Sequence, residues 1–259
     1  MPDRKKLGLR EDAAVYRGPT QNARVLSEDW VARQMFCPHC TSEQLEQFPN
    51  NRPVADFYCP NCDEQFEIKA QKARFGRRIV DGAYSTMIER LASDRSPNLL
   101  LMRYSKLEMS VSDVIVIPKQ FFAAHIIEKR KPLAPTARRA GWIGCNIRLD
   151  LIPKLGRITL VENSIRLDPE NVRGAWRAAL PLREAIPSTR AWLSRTLQAV
   201  ERLPEEFELS DLYEMEDEFA EVFPKNKNIR PKLRQQLQLL RDMAYLEFLG
   251  TGRYRKLVG

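Results

Sequence analysis

The sequence predicts a mixed α/β domain with inserted paired-cysteine knuckles, followed by a small winged helical domain. Three observations carry this. Up to about residue 180, short apolar runs bounded by turn residues are interspersed with helical periodicity; four cysteines fall in two C-x-x-C pairs; and beyond residue 190 the pattern becomes helix, helix, helix, hairpin. At 259 residues the chain suits two domains of ordinary size, because single cores stop growing near ~250–300 residues. Hydrophobic residues make up 43% and charged ones 29%, a balance that builds a core and is unlike disorder. No run approaches the ~18 apolar residues of a membrane span, and the start, MPDRKKLGLREDAAV, lacks the apolar stretch of a secretory signal. An intracellular protein with no membrane partner is expected.

Taken in order, residues 1–22 lack periodicity and read as a loosely ordered arm. SEDWVARQMF, 27–36, predicts a helix capped by Ser27, with Trp30, Val31 and Gln34 at helical spacing. DGAYSTMIERLAS predicts a second helix with Ala83, Met87 and Leu91 on one face. NLLLMRY, DVIVIP and RITLVE read as central strands buried on both faces. The proline-containing LPLREAIPSTR, 180–190, reads as a linker. The expected division is an arm at 1–22, a knuckle-bearing α/β domain at 23–183 and a winged-helix domain at 184–259.

The cysteines read Cys37-Pro-His-Cys40, eighteen residues, then Cys59-Pro-Asn-Cys62. Two knuckles supplying two thiolates each fit a closed, tetrahedral, structural Zn²⁺ site; a redox pair or a disulfide is the alternative. His39, between Pro38 and Cys40, is expected to face solvent, and Cys145 to be a small buried hydrophobe.

Around the second knuckle lie Asp56 and then Gln65-Phe-Glu67-Ile-Lys69. Strand alternation puts Glu67 and Lys69 on one face and Phe66 and Ile68 on the other. With the knuckle as hairpin tip, Asp56 folds back toward Glu67, and the two could share a Mg²⁺, a hard cation that takes a few carboxylates plus water and phosphate oxygens. Lys69 would reach the same spot and stabilise charge on a phosphate or assist a water. This is the Asp…Glu-x-Lys arrangement of PD-(D/E)XK nucleases, with Pro53 two residues further from Asp56 than their Pro-Asp element has it. The plain alternative is an exposed amphipathic strand. KAQKARFGRR, 69–78, adds five basic residues where a phosphate backbone would be gripped.

EKRKPLAPTARRAGWIGCNI, 128–147, is a proline- and glycine-rich loop with five basic residues around Trp142. Arg138 and Arg139 suit guanine edges and Trp142 suits a base methyl; the alternative, which composition alone favours, is that Trp142 plugs the core, as most tryptophans do. Residues 201–221 hold ten acids and one arginine, whereas 225–256 hold nine basic residues and two acids. ELSDLYEMEDEFA predicts an acidic helix capped by Ser210, facing away from DNA. NIRPKLRQQLQLLRDM predicts a recognition helix with Leu233, Leu237 and Leu240 inward and Arg230, Arg234, Gln238 and Arg241 outward. AYLEFLGTGRYRKL predicts a hairpin wing carrying Arg253 and Arg255. A helical protein-interaction domain is the alternative.

Two classes of function follow: a Mg²⁺-dependent endonuclease, or a noncatalytic zinc and winged-helix DNA-binding regulator. The stretches KPLAPTARRAGWIGCN, VLSEDW, NNRPVADFYC and RQQLQLLRD…GRYRKL resemble the DpnI-like family of methyl-directed restriction endonucleases, from about Ala23 to Leu257. The resemblance implies a PD-(D/E)XK nuclease domain plus a winged helix in a bacterial cytoplasmic restriction enzyme. It implies cleavage of double-stranded DNA at GATC bearing N6-methyladenine, with Mg²⁺, by a monomer. On the matching positions Asp56, Glu67 and Lys69 would be catalytic and Cys37, Cys40, Cys59 and Cys62 would hold zinc. Trp142 would help sense methyl groups, with the winged helix favouring methylated sites too. The arm does not match the family's pattern; the spacing after Pro53 does.

Overall fold

The computed structural model describes residues 7–10, 18–49, 55–92 and 96–257. From the N-terminus, α1 (Pro19–Gln34) leads through the first cysteine pair to β1 (Glu46–Gln47), β2 (Phe57–Tyr58) and β3 (Gln65–Gln71). Next come β4 (Arg78–Ala83), α2 (Tyr84–Ala92), β5 (Asn98–Ser105), β6 (Ser110–Ile117), β7 (Ile127–Lys129), β8 (Gly144–Arg148), β9 (Ile158–Glu162) and β10 (Ile165–Arg166). The chain ends in α3 (Pro169–Ala179), α4 (Pro187–Val200), β11 (Glu206–Glu208), α5 (Leu209–Tyr213), α6 (Glu216–Val222), α7 (Ile229–Asp242), β12 (Leu246–Gly250) and β13 (Arg253–Lys256). No helix is long and apolar enough to cross a membrane among the described residues.

Two compact units share this chain, and neither is continuous. One comprises Met1–Gly76, Ser93–Lys119 and Gly156–Ala179; the other comprises Arg77–Ala92, Gln120–Leu155 and Leu180–Gly259.

The first unit is built on a seven-stranded mixed sheet in the order β1-β2-β3-β5-β6-β9-β10. Only β3 and β5 run parallel, with Glu67 beside Leu99 and Lys69 beside Leu101. Leu99, Leu100, Leu101 and Met102 are consecutive and all buried, which is why this run shows no alternation: both faces of the central strand are covered. α1 covers one stretch with Trp30 and Val31, and α3 lays Trp176 against Phe66.

Two sequence expectations change here. The helix before the first knuckle starts at Pro19, eight residues ahead of Ser27, with Gly18 as N-cap. Proline suits a first turn, where no donor is needed, and Ser27 turns its hydroxyl back to Arg24 O at 2.8 Å inside the helix. The arm is also less loose than its composition suggests over residues 7–10. Leu7 and Leu9 are buried on one face, and Val111 N donates to Leu7 O at 2.9 Å and Leu9 N to Met109 O at 2.8 Å. The rest of the arm through Arg17, and Pro53, lie outside the described residues.

The second unit holds two three-stranded sheets, β4-β8-β7 and β11-β13-β12. Leu233, Leu237 and Leu240 of α7 are fully buried, as their spacing requires. Three readings are corrected. Asp81, Gly82 and Ala83 belong to β4, so the helix there starts at Tyr84. The expected linker is ordered, as a 3-10 turn (Leu180–Glu184) and the start of α4 at Pro187. The acidic helix is two helices, and the cap of α5 is Glu208, whose capping box with Asp211 satisfies two orphan amides, leaving Ser210 inside the first turn.

Candidate nuclease and DNA-binding sites

The cysteine site forms because each knuckle is a tight turn whose amides point at sulfur. His39 N donates to Cys37 Sγ at 3.4 Å and Ser42 N to Cys40 Sγ at 3.5 Å. In the second knuckle Asp63 N reaches Cys59 O at 3.0 Å, and Asp63 takes the left-handed φ of 59° that closes the turn. All four Sγ atoms lie within 4.8 Å of one another, with Cys37–Cys62 at 3.6 Å and Cys40–Cys59 at 3.4 Å, and every cysteine is a free thiol. Four arms of ~2.3 Å in a tetrahedron put sulfurs about 3.8 Å apart, so the set fits zinc. Burial pushes the Cys37 and Cys62 thiols up, Cys62 to about 12, a bias that a divalent cation reverses by binding thiolate.

α3 braces this cluster. Arg173, almost fully buried, donates from Nε to Cys40 O at 2.8 Å, and Trp176 donates from Nε1 to His39 Nδ1 at 2.9 Å. His39 is half-buried and accepts this bond, so the knuckle residue expected to face solvent is also tied to α3. Beyond the second knuckle, Asn98 ties β5 to it through Glu64 Oε2 at 2.8 Å.

The knuckle is the tip of the β2–β3 hairpin, in register at Phe57 with Phe66 and Tyr58 with Gln65. Phe57 and Phe66 are fully buried on one face, each worth ~1.5–3 kcal/mol of burial. The other face carries Glu67 and Lys69, paired at 2.9 Å and each about a quarter exposed. Asp56 is held from both sides by backbone: its N donates to Phe66 O, and its O accepts from Phe48 N, both at 2.9 Å. Its carboxylate Oδ2 accepts the Ile68 amide at 2.8 Å, which holds it beside β3 at the residue between Glu67 and Lys69. Glu67 and Lys69 are thus paired on one face of β3, and the Asp56 carboxylate is anchored to the backbone of the residue between them. Oxygen donors with a cation alongside fit a hard divalent ion.

Two residues that sequence reasoning missed stand at this site. Arg24 Nη2 lies 3.7 Å from Asp56 Oδ1, and Arg24 is itself ion-paired to Glu28, which is buried and accepts from Gln47 at 2.9 Å. Their i,i+4 spacing was the available signal, lost when the helix was started at Ser27.

In the second unit, the β7–β8 connection is an ordered hairpin extension. Arg130 N donates to Gly144 O at 3.0 Å and Leu133 N to Trp142 O at 2.9 Å, with Gly141 at φ 77° making the turn. Arg138 and Arg139 are exposed at its tip. Trp142 is half-buried, with the Arg139 guanidinium over its ring at 4.8 Å, and does not sit among the fully buried core side chains.

The winged region is more neutralised than its charge split suggests. Arg230 of α7 pairs with Glu216 of α6 at 2.6 Å, so one acid of the acidic segment is engaged by the basic helix. Arg253 and Arg255 both pair with Glu206, and Arg255 also with Glu247. Arg234 and Gln238 are exposed on α7 without a hydrogen bond or ion pair among the described residues. Residues 9–185 match the family model described as DpnI: Dam-replacing family, and residues 188–256 match that described as DpnI_C: Dam-replacing HTH domain. The match begins at residue 9, inside the segment that the sequence reading left unmatched.

Proposed function

The chain belongs to the DpnI, Dam-replacing family, methylation-dependent restriction endonucleases, and on that premise we propose that it hydrolyses double-stranded DNA at GATC sites carrying N6-methyladenine, using Mg²⁺. The observation that carries the catalytic assignment is the Asp56 carboxylate accepting the Ile68 amide between Glu67 and Lys69. Asp56 and Glu67 would hold Mg²⁺, which when bound supplies positive charge to the scissile phosphate. Lys69 would orient the attacking water and hydrogen-bond a phosphate oxygen, where charge develops as the new P–O bond forms and the bond to the leaving deoxyribose oxygen breaks; the attacking water would give its proton to solvent and the leaving oxygen would take one from it. Cys37, Cys40, Cys59 and Cys62 would hold Zn²⁺ in a structural role, fixing the hairpin turn. Exposed Arg138, Arg139, Arg234 and Gln238 would contact DNA, and Arg230, Arg253 and Arg255 would exchange their carboxylate partners for phosphates on binding. Trp142 would contact the adenine methyl. We further propose that residues 23–183 carry the nuclease function and residues 184–259 the winged-helix function, in a cytoplasmic monomer, with the compact units interleaving across that boundary.

Incubation with Mg²⁺ and plasmid either Dam-methylated or unmethylated tests this. Cutting confined to methylated DNA is expected, and Lys69→Ala should lower it by at least about 10²-fold while leaving binding nearly intact. Binding without breaks in either plasmid would instead favour the noncatalytic regulator, and normal cutting by Lys69→Ala would remove that residue from the site.

A further inference from the structure

Gly144 opens β8, pairs with Ala83 of β4, and is buried. Among the described residues the glycines with positive φ are Gly141, Gly250 and Gly252, so the backbone at Gly144 is one that other residues could adopt. Space is what forbids a side chain there. A Cβ at Gly144 would stand 2.8 Å from both Cη2 and Cζ3 of Trp142 and 3.4 Å from Nη1 of Arg130. Carbon pairs prefer ~3.5–4.0 Å, so the indole occupies the volume a methyl group would need. Arg139 lies over the same ring.

We infer that Gly144 is a specificity-determining position for methylated DNA, acting by letting the Trp142 indole seat against the β8 backbone. The inference rests on the proposed role of Trp142. An indole seated on a strand backbone has a fixed depth, and depth decides whether its apolar edge meets a base methyl or stands away from it. The clashing atoms are the far end of a side chain on a half-exposed loop. A methyl at residue 144 therefore displaces the ring while the backbone pairing of β8 with β4 and β7 persists.

The test is a two-by-two set: the parent protein, Gly144→Ala, Trp142→Ala and the double variant, each scored by the ratio of cutting at methylated over unmethylated sites. Gly144→Ala is expected to lower the ratio about three- to five-fold, the worth of one misplaced methyl contact. Added to Trp142→Ala it should change nothing, because without the indole the crowding is gone. Acrylamide quenching of tryptophan fluorescence should rise in Gly144→Ala and not in the double variant, a readout independent of cutting. An unchanged ratio in Gly144→Ala, with a lowered one in Trp142→Ala, overturns the inference and spares the reading of Trp142. An unchanged ratio in Trp142→Ala overturns both, and an equal effect of Gly144→Ala in the two backgrounds means that it acts by another route and overturns the inference. Should Gly144→Ala fail to fold, the double variant must fold, or room for the indole is not the reason for the glycine.

Discussion

An aspartate whose carboxylate satisfies a strand amide has little rotamer freedom left, so Asp56 is pre-positioned before any ligand arrives. His125 shows the opposite situation. Both its ring nitrogens are buried without a hydrogen-bond partner among the described residues, its ring lies 6.2 Å from that of Phe223, and Arg195, paired to Glu218, adds a like charge nearby. Burial first, and Arg195 second, push its pKa down from 6.5 to about 4. An unfolded chain takes up this proton near 6.5 and the folded one only near 4, so unfolding gains protons in that window. Stability is thus full above that window and falls with pH through it, by up to ~3 kcal/mol from this group. Urea unfolding at pH 7.5, about 5 and about 4 should show the loss, and His125→Phe should flatten the part due to this residue. An equally steep decline in the variant would assign it to other groups.

At the level of elements, the zinc-fitting cluster and the β2–β3 hairpin are one object, since Cys59 and Cys62 form the turn between Asp56, just before β2, and Glu67 on β3. Cys62→Ser, or dialysis against a strong chelator, should release stoichiometric zinc. It should lower unfolding free energy by several kcal/mol and abolish cutting before it abolishes binding by the winged region. Metal analysis with thermal unfolding checks this; a chelated protein with unchanged melting and cutting would make the cysteines bystanders. Much of this hairpin was legible in the sequence, because C-x-x-C spacing and period-two alternation are local signals, and Glu67 and Lys69 do share a face. Helix boundaries were less legible. Pro19 and Pro187 each open a helix, although prolines read as breaks when no partner is in view. The division of the acidic stretch at Met215 is marked by no glycine or proline; burial of Leu212 and Phe219 fixes it. Pairing of Arg230, Arg253 and Arg255 with acids distant in sequence could not be read from local charge at all.

For the whole molecule, a chain of net charge +8 gains DNA affinity from phosphate neutralisation, yet each compact unit draws on segments that are not contiguous in sequence. Residues 120–155 belong with the C-terminal unit: Lys154 N donates to Glu201 Oε1 at 2.5 Å, and Gln198 reaches Asp150 O at 3.4 Å. A fragment ending at residue 183 keeps Asp56, Glu67 and Lys69 but strips His125 and Asp150 of these neighbours. It should therefore melt earlier than the full chain and bind a hydrophobic dye. Differential scanning fluorimetry on the two proteins checks this, and an equally stable, dye-silent fragment would show that residues 120–155 hold together without the C-terminal portion.

Interleaving also limits how such an enzyme can be re-tooled. A reader module swapped in from another source at the 183/184 seam would inherit half of a foreign core, so new specificities should arise more readily by point changes on a retained scaffold than by exchange of whole cassettes.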